Sequence, residues 1–123
     1  MTLTQLISFG FLQAGTIRST GTSLSKTAIV PNLNGKYFWA LVYNKDVMYL
    51  GYSFKQYYFE DRMDYIVLPS GYATYRRLHR RISALGVANV EIYYLPMSSF
   101  IINAARARRQ KNIFKGGTLP WDK

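Results

Sequence analysis

Any chemistry performed by this chain would have to rely on tyrosine and arginine, because acids and histidine are scarce. The 123 residues include 11 Tyr and 16 Lys and Arg, but only six Asp and Glu, one His and no Cys. Catalytic zinc needs a set of His or carboxylate ligands, and a two-metal nuclease needs several clustered carboxylates. The only close group of acids is Glu60, Asp61 and Asp64. The composition therefore excludes a zinc enzyme, a thiolate site and a disulfide scaffold.

The basic residues are concentrated in the second half of the chain. The formal net charge is +10, and ten of the 16 Lys and Arg lie between Arg76 and Lys123. Between Asp64 and Asp122 the one acid is Glu91. A one-sided basic surface on a folded domain is typical of proteins that bind a polyanion. Nucleic acid is therefore the predicted partner, and a solvated basic surface or binding to acidic lipid is the alternative.

The sequence indicates neither membrane insertion nor secretion. No apolar run reaches the roughly 18 residues that span a bilayer, and the N-terminus has no pattern of a secretory signal. With 49% apolar and 16% aromatic residues, the chain is predicted to fold as one compact domain. We expect an intracellular, cytoplasmic protein with no membrane partner.

A β-hairpin is the clearest structural pattern, and both of its strands contain tyrosine. Residues 37–43 form an aromatic and β-branched run that contains Tyr37, and residues 47–52 form a second run that contains Tyr49. The polar residues 44–46 separate the two runs. Two such runs around a short polar loop predict an antiparallel hairpin.

Helical and extended patterns surround the hairpin. A short helix is predicted from the spacing of Leu3, Leu6, Ile7, Phe11 and Ala14, ending at Gly15. Short strands are predicted around Ile17 and over residues 28–30, followed by a turn at residues 31–35. The mixed aromatic and charged segment 54–66 is predicted to be an irregular insertion.

The downstream patterns complete a small α+β domain. A helix is predicted over residues 75–85, capped by Ser70 or Thr74 and closed by Gly86. Residues 87–95 predict a third strand, and a last helix begins at Ser98 or Ser99 and ends at Gly116. The fold class is therefore α+β, with a three-stranded antiparallel core sheet flanked by helices. Residues 1–34 would form an N-terminal extension packed on a domain of residues 35–123.

This order of elements, together with several short motifs, resembles the GIY-YIG nuclease superfamily. Gly35-Lys36-Tyr37 and Tyr49-Leu50-Gly51 correspond to its two namesake triplets, with eleven residues between the two tyrosines. Residues 75–81 resemble the family's helix with an Arg and a nearby His, and residues 89–93 resemble its third core strand. Residues 110–115 and 119–122 are similar to its closing helix and Pro-containing tail. The long gap after Tyr49 resembles the restriction-enzyme branch, and the size and ending resemble small phage-encoded members.

The resemblance implies a DNA endonuclease that hydrolyses phosphodiester bonds with one divalent ion, Mg²⁺ or Mn²⁺. Its catalytic residues would be Tyr37, Tyr49, Arg77, His79 and Gln110, with Gln110 as the metal ligand. One tyrosine, with its pKa lowered by the cation and an arginine, would orient or deprotonate the water. Trp39 is the alternative to the first tyrosine, and Arg62 is the alternative arginine. Double-stranded DNA would contact Arg76, Arg80, Arg81, Arg106, Arg109, Lys111 and Lys115.

Gln110 departs from the family pattern, which places a glutamate at this position. A neutral amide is a weak ligand for a hard cation. Three explanations stay open: an inactivated variant, a naturally weak or inactive nuclease that still binds DNA, or a shifted alignment with Glu91 as another candidate acid. The competing functions are a nucleic-acid-binding module without chemistry and an interaction protein that uses segment 54–66. One small site cuts one strand, so double-strand cleavage would require a homo-oligomer.

Overall fold

The computed structural model describes residues 1–28, 34–69 and 71–123. Within these ranges, five strands form one antiparallel sheet in the order β2-β1-β5-β3-β4, and four helices flank it. The elements in chain order are α1 (Leu3–Ser8), β1 (Leu12–Thr20), β2 (Leu24–Ala28), β3 (Asn34–Tyr43), β4 (Asp46–Tyr58), α2 (Phe59–Val67), α3 (Ala73–Ser83), β5 (Val87–Pro96) and α4 (Ala104–Lys115). This confirms the predicted α+β class. The three-stranded core is the β5-β3-β4 part of the wider sheet.

The predicted hairpin is confirmed as β3 and β4. Its two turn residues have positive φ angles, 52° at Asn44 and 65° at Lys45, as a two-residue turn of this kind requires. Tyr43 pairs with Asp46 directly beside the turn. The prediction of an irregular insertion over residues 54–66 is wrong, because β4 continues to Tyr58 by pairing with the start of β3, and α2 follows at once.

The N-terminal helix is shorter than predicted. It ends at Ser8, and Gly10, with φ of 99°, turns the chain into β1. Phe11 lies directly before β1 and Ala14 lies within it. The two side chains are buried in the cores on opposite faces of the sheet, so their three-residue spacing does not reflect a helix. The strand predicted around Ile17 is confirmed as β1. The strand predicted over 28–30 shares only Ala28 with β2, which begins at Leu24. Residues 29–33 lie outside the described residues, and Asn34 and Gly35 of the predicted turn already belong to β3.

The helix and the strand predicted over 75–85 and 87–95 are confirmed as α3 and β5, but the predicted helix starts need correction. Tyr72 occupies the N-cap position of α3 without a side-chain hydrogen bond, so Thr74 lies within the helix. Ser70 lies outside the described residues. The last helix begins later than Ser98 or Ser99, because the Asn103 side chain accepts a hydrogen bond from Arg106 N (2.8 Å) and caps α4. Gly116, with φ of 65°, ends α4 as predicted.

Helices cover both faces of the sheet. Alternate residues of β3 point to opposite faces, so Tyr37 and Trp39 face one core while Phe38 and Ala40 face the other. The first core contains residues of α2 and α3, and the second contains residues of α1 and α4. None of the helices in the described ranges is long and apolar enough to cross a membrane.

Candidate active site

A cleft rich in tyrosine opens on the face of the sheet that carries α2 and α3. Its volume is about 420 Å³. It is lined by Trp39, Tyr49, Gly51, Tyr52, Arg62, Tyr65, Tyr72, Thr74, Tyr75 and Lys111. Four elements, β3, β4, α2 and α3, supply most of these residues, and Lys111 of α4 reaches the cleft from the other side of the hairpin. We refer to this set of residues as the tyrosine cleft.

Arg62 is the arginine that the structure brings into the tyrosine cleft. Its guanidinium donates a hydrogen bond to Ser53 Oγ (2.9 Å) and another to the Tyr75 hydroxyl. These bonds hold a planar group of N–H donors in one orientation beside Tyr49. The sequence pattern offered Arg62 only as the alternative to Arg77, because segment 54–66 did not predict a helix.

Arg77 lies outside the lining of the tyrosine cleft. Its Nε donates to the backbone oxygen of Trp121 (3.1 Å), and its side chain borders a surface cavity with Arg80, Arg81 and Lys123. Its charge still acts on Tyr49 and lowers the pKa of that residue, against the larger effect of burial. The geometry therefore gives Arg77 a role in holding the C-terminal tail.

His79 also lies outside the lining of the tyrosine cleft. Its Nδ1 is 2.7 Å from the backbone oxygen of Ile66, which can only accept, so Nδ1 carries the proton of this hydrogen bond. The bond joins α3 to the end of α2, the helix that contains Arg62. His79 is thus in position to fix the orientation of α2, one helical turn beyond Arg62.

The two motif tyrosines differ in their surroundings. Tyr37 is 1% exposed and packs in the core beneath the cleft, whereas Tyr49 lines the cleft and its ring lies 5.2 Å from that of Trp39. Burial raises the pKa of Tyr37, although Arg62 acts in the opposite direction. Burial raises the pKa of Tyr49 to about 12, more than the charge of Arg77 lowers it. Burial thus raises the pKa of both tyrosines, because loss of water outweighs the arginine charges, and the lowering of a tyrosine pKa by a bound cation stays a prediction.

Trp39 and Gly51 form the floor of the tyrosine cleft. They are paired directly across β3 and β4, and a Cβ atom on Gly51 would lie 2.9 Å from the indole ring. The glycine of the second motif triplet therefore leaves room for the indole. Trp39 is 2% exposed, and within the described ranges its Nε1 is buried without a hydrogen-bond partner.

Gln110 lines a different cavity, on the opposite face of the sheet. That cavity, of about 690 Å³, is bordered by Phe38, Leu95, Phe114, Arg106 and Arg109, among others. The expectation that Gln110 shares a cleft with Tyr37, Tyr49 and Arg77 is not met. The physical reason is the helix itself: consecutive residues are about 100° apart around its axis, so Lys111, and not Gln110, faces the tyrosine cleft.

The residues of the tyrosine cleft do not fit a divalent cation. Mg²⁺ prefers carboxylate oxygens, whereas among the side chains that the structure describes, the charged ones lining the cleft are the cations Arg62 and Lys111. The described residues contain no group of three or more metal-ligating His, Cys, Asp or Glu side chains. Glu91, the other candidate acid, accepts a hydrogen bond from the Tyr93 hydroxyl (3.0 Å) on β5.

The remaining basic residues proposed to contact DNA lie on α3 and α4. Arg76 donates to the Gly71 backbone oxygen (2.6 Å), and Arg81 Nε donates to that of Lys123 (3.0 Å). Arg76, Arg80 and Arg81 are exposed on α3, and Arg106 and Arg109 are exposed on α4. Lys115 is different, because its Nζ forms an ion pair with Asp122 (2.6 Å) in a mostly buried position.

Comparison with known proteins identifies a structural neighbour but no sequence relative. No family model matches the chain, and no curated protein matches it. Among solved structures, a mutant of bacteriophage T4 EndoII matches with a TM-score of 0.68 over 100% of both chains, at 16% sequence identity. At this identity the likeness concerns the fold alone. The chain therefore shares the fold of phage T4 EndoII over its full length.

Proposed function

We propose that this chain is a DNA endonuclease that hydrolyses a phosphodiester bond in the tyrosine cleft. The observation that carries the proposal is the convergence of Arg62, Tyr49 and Lys111 on one cleft beside Gly51, the glycine of the second motif triplet. The net charge of +10 and the fold shared with EndoII support it. The motif resemblance and the geometry thus point to the same part of the molecule.

Arg62 suits the phosphate, because a guanidinium offers several N–H donors in one plane to the non-bridging oxygens. Hydrogen bonds to Ser53 and Tyr75 already fix the orientation of the guanidinium. Substrate binding therefore costs little further loss of side-chain freedom at Arg62. A donor fixed in advance stabilises the charge that develops on the phosphoryl oxygens during attack.

Tyr49 would orient the attacking water through its hydroxyl group. Because its pKa is raised to about 12, the hydroxyl keeps its proton at neutral pH and both donates and accepts hydrogen bonds. In the reaction a water oxygen bonds to phosphorus and the bond from phosphorus to one deoxyribose oxygen breaks. The hydroxyl of the water stays on phosphorus, and its other proton ends on the leaving oxygen.

A plasmid-nicking assay tests this proposal. We expect Arg62→Lys to lower the nicking rate by about a hundredfold, because it keeps the charge but loses the planar donors. Arg18→Lys, on the exposed side of β1, is the matched control and should nick like the wild type. Circular dichroism checks that the Arg62 variant is folded. Equal rates for a folded Arg62→Lys and the wild type would refute a role of Arg62 in cleavage.

A DNA-binding module without chemistry is the second candidate, favoured by the lack of a carboxylate among the described side chains that line the cleft. Both candidates predict salt-dependent binding to duplex DNA. Contacts with about five phosphates would give a slope near −4 to −5 of log affinity against log salt. Binding with this slope but no nicking would favour the module, and a slope near zero by fluorescence anisotropy would exclude both.

A further inference from the structure

Lys111 brings a cation into the tyrosine cleft where a metal ligand was expected. It lies on α4, and its Nζ is 5.6 Å from the centre of the Tyr52 ring. The side chain reaches past this ring to line the cleft with Tyr49 and Arg62. The neighbouring Gln110 borders the cavity on the other face of the sheet. The ammonium group is therefore the part of α4 that faces the cleft.

The ammonium of Lys111 has no ion-pair partner among the described residues. The described ion pairs join Lys26 to Asp64 and Lys115 to Asp122. Burial lowers the pKa of Lys111, and the charge of Lys115 lowers it further. The carboxylate of Asp122 acts in the opposite direction, and the charge of Arg108 again lowers the pKa. A half-buried cation among other cations is electrostatically unfavourable, and a bound anion would relieve it.

Trp39 lines the same cleft and has a hydrogen-bond donor of its own. An indole Nε1 can only donate, and in the described part of the chain this one is buried without an acceptor. Leaving such a group unsatisfied costs free energy. An N–H group cannot ligate a metal ion, but it can donate to an oxyanion. A negatively charged oxygen would therefore satisfy both the ammonium of Lys111 and the N–H of Trp39.

We infer that Lys111 and Trp39 bind the phosphate group of the substrate and that the ammonium takes the place of a divalent cation. Cleavage in the tyrosine cleft then needs no metal ion. Lys111 stabilises the negative charge on the phosphoryl oxygens and keeps its proton throughout. The bonds that form and break in the hydrolysis, and the proton that moves to the leaving oxygen, are therefore the same as given above. This inference rests on the proposed endonuclease function, which it deepens by naming the source of positive charge.

Nuclear magnetic resonance measures the phosphate site independently of cleavage. The probe is a thymidine dinucleotide with one phosphodiester, added in EDTA, and the signal is the indole N–H peak of Trp39, assigned with a Trp39→Phe variant. We expect this peak to shift in a saturable way in the wild type and in Lys111→Arg. Lys111→Met keeps the length of the side chain but removes the charge, and it should abolish the shift. Lys45→Met, in the exposed hairpin turn, is the control. A Trp39 peak that does not move in the wild type overturns the inference.

Nicking of supercoiled plasmid separates this inference from the proposed function. We expect equal rates in EDTA and in Mg²⁺, and a loss of about a hundredfold in Lys111→Met that Lys111→Arg partly restores. Nicking that occurs only with Mg²⁺ would overturn the inference and leave the endonuclease function standing. A Trp39 shift without nicking under either condition would instead overturn the endonuclease function and leave the phosphate site standing.

Discussion

Gly51 lies directly opposite Trp39 across β3 and β4, and a Cβ atom at this position would approach the indole ring to 2.9 Å. The two residues are twelve positions apart in sequence, yet the hairpin register makes them neighbours. The floor of the tyrosine cleft therefore depends on the absence of a side chain at Gly51. The glycine of the second motif triplet thus has a steric explanation that is independent of any catalytic role.

Gly51→Ala should destabilise the protein by about 1–3 kcal/mol, because the indole and the strand must move to accommodate a methyl group. Urea unfolding followed by tryptophan fluorescence measures the free energy of unfolding. Gly117→Ala is the matched control, since a Cβ atom there meets no atom within 4 Å. If both variants lost the same stability, the contact between Gly51 and Trp39 would not be the cause.

Tyr49 should make stability depend on pH in the alkaline range. Its folded pKa of about 12 lies above the ordinary value of 10.0, so its contribution is fully present below pH 10 and is lost as pH rises to 12. The stability advantage of the wild type over Tyr49→Phe should fall by on the order of 2 kcal/mol across this range. The other tyrosines cancel in the difference. An advantage that stays constant from pH 9 to 12 would contradict the raised pKa.

Asp122 should contribute to stability more than an exposed acid does. Its carboxylate accepts from Lys115 Nζ (2.6 Å) and from Leu119 N (2.8 Å), and the two charged side chains are only 15% and 14% exposed. We expect Asp122→Asn to cost about 2 kcal/mol of unfolding free energy, because hydrogen bonds to a charged group are lost.

Asp64→Asn is the matched control for Asp122. Its ion pair with Lys26 is of similar length (2.8 Å), but the Asp64 side chain is 53% exposed, so the loss should be below about 1 kcal/mol. Thermal unfolding of both variants provides the comparison. A larger loss from Asp64→Asn would mean that burial does not set the strength of these two pairs.

Gln110→Glu should not create a metal-dependent nuclease. The new carboxylate would lie in the cavity bordered by Phe38 and Phe114, separated by the sheet from Tyr49 and Arg62. We expect the same nicking rates in Mg²⁺ and in EDTA for this variant as for the wild type. A gain of Mg²⁺-dependent nicking, measured on the same plasmid, would show that residue 110 reaches the tyrosine cleft after all.

Local patterns in the sequence were sufficient to predict those elements whose residues follow a single, clear periodicity. The hairpin, with its aromatic runs and polar turn, and the strand over 87–95 were predicted because alternation and turn residues act over a few neighbours. The same patterns misassigned Phe11 and Ala14, since a strand buried on both faces can display helical spacing. They also missed α2, because segment 54–66 contains aromatic and charged residues in no clear period.

The sequence by itself determined the α+β class, the basic character and the glycine and tyrosine of the hairpin motif. Only the tertiary structure decided which side chains meet in the cleft. Arg62 replaces Arg77 there because α2 packs beside Ser53 and Tyr75. Lys111 replaces Gln110 because one step along a helix turns a side chain by about 100°. Both outcomes depend on how a helix packs against the sheet, and no local pattern in the sequence encodes that packing.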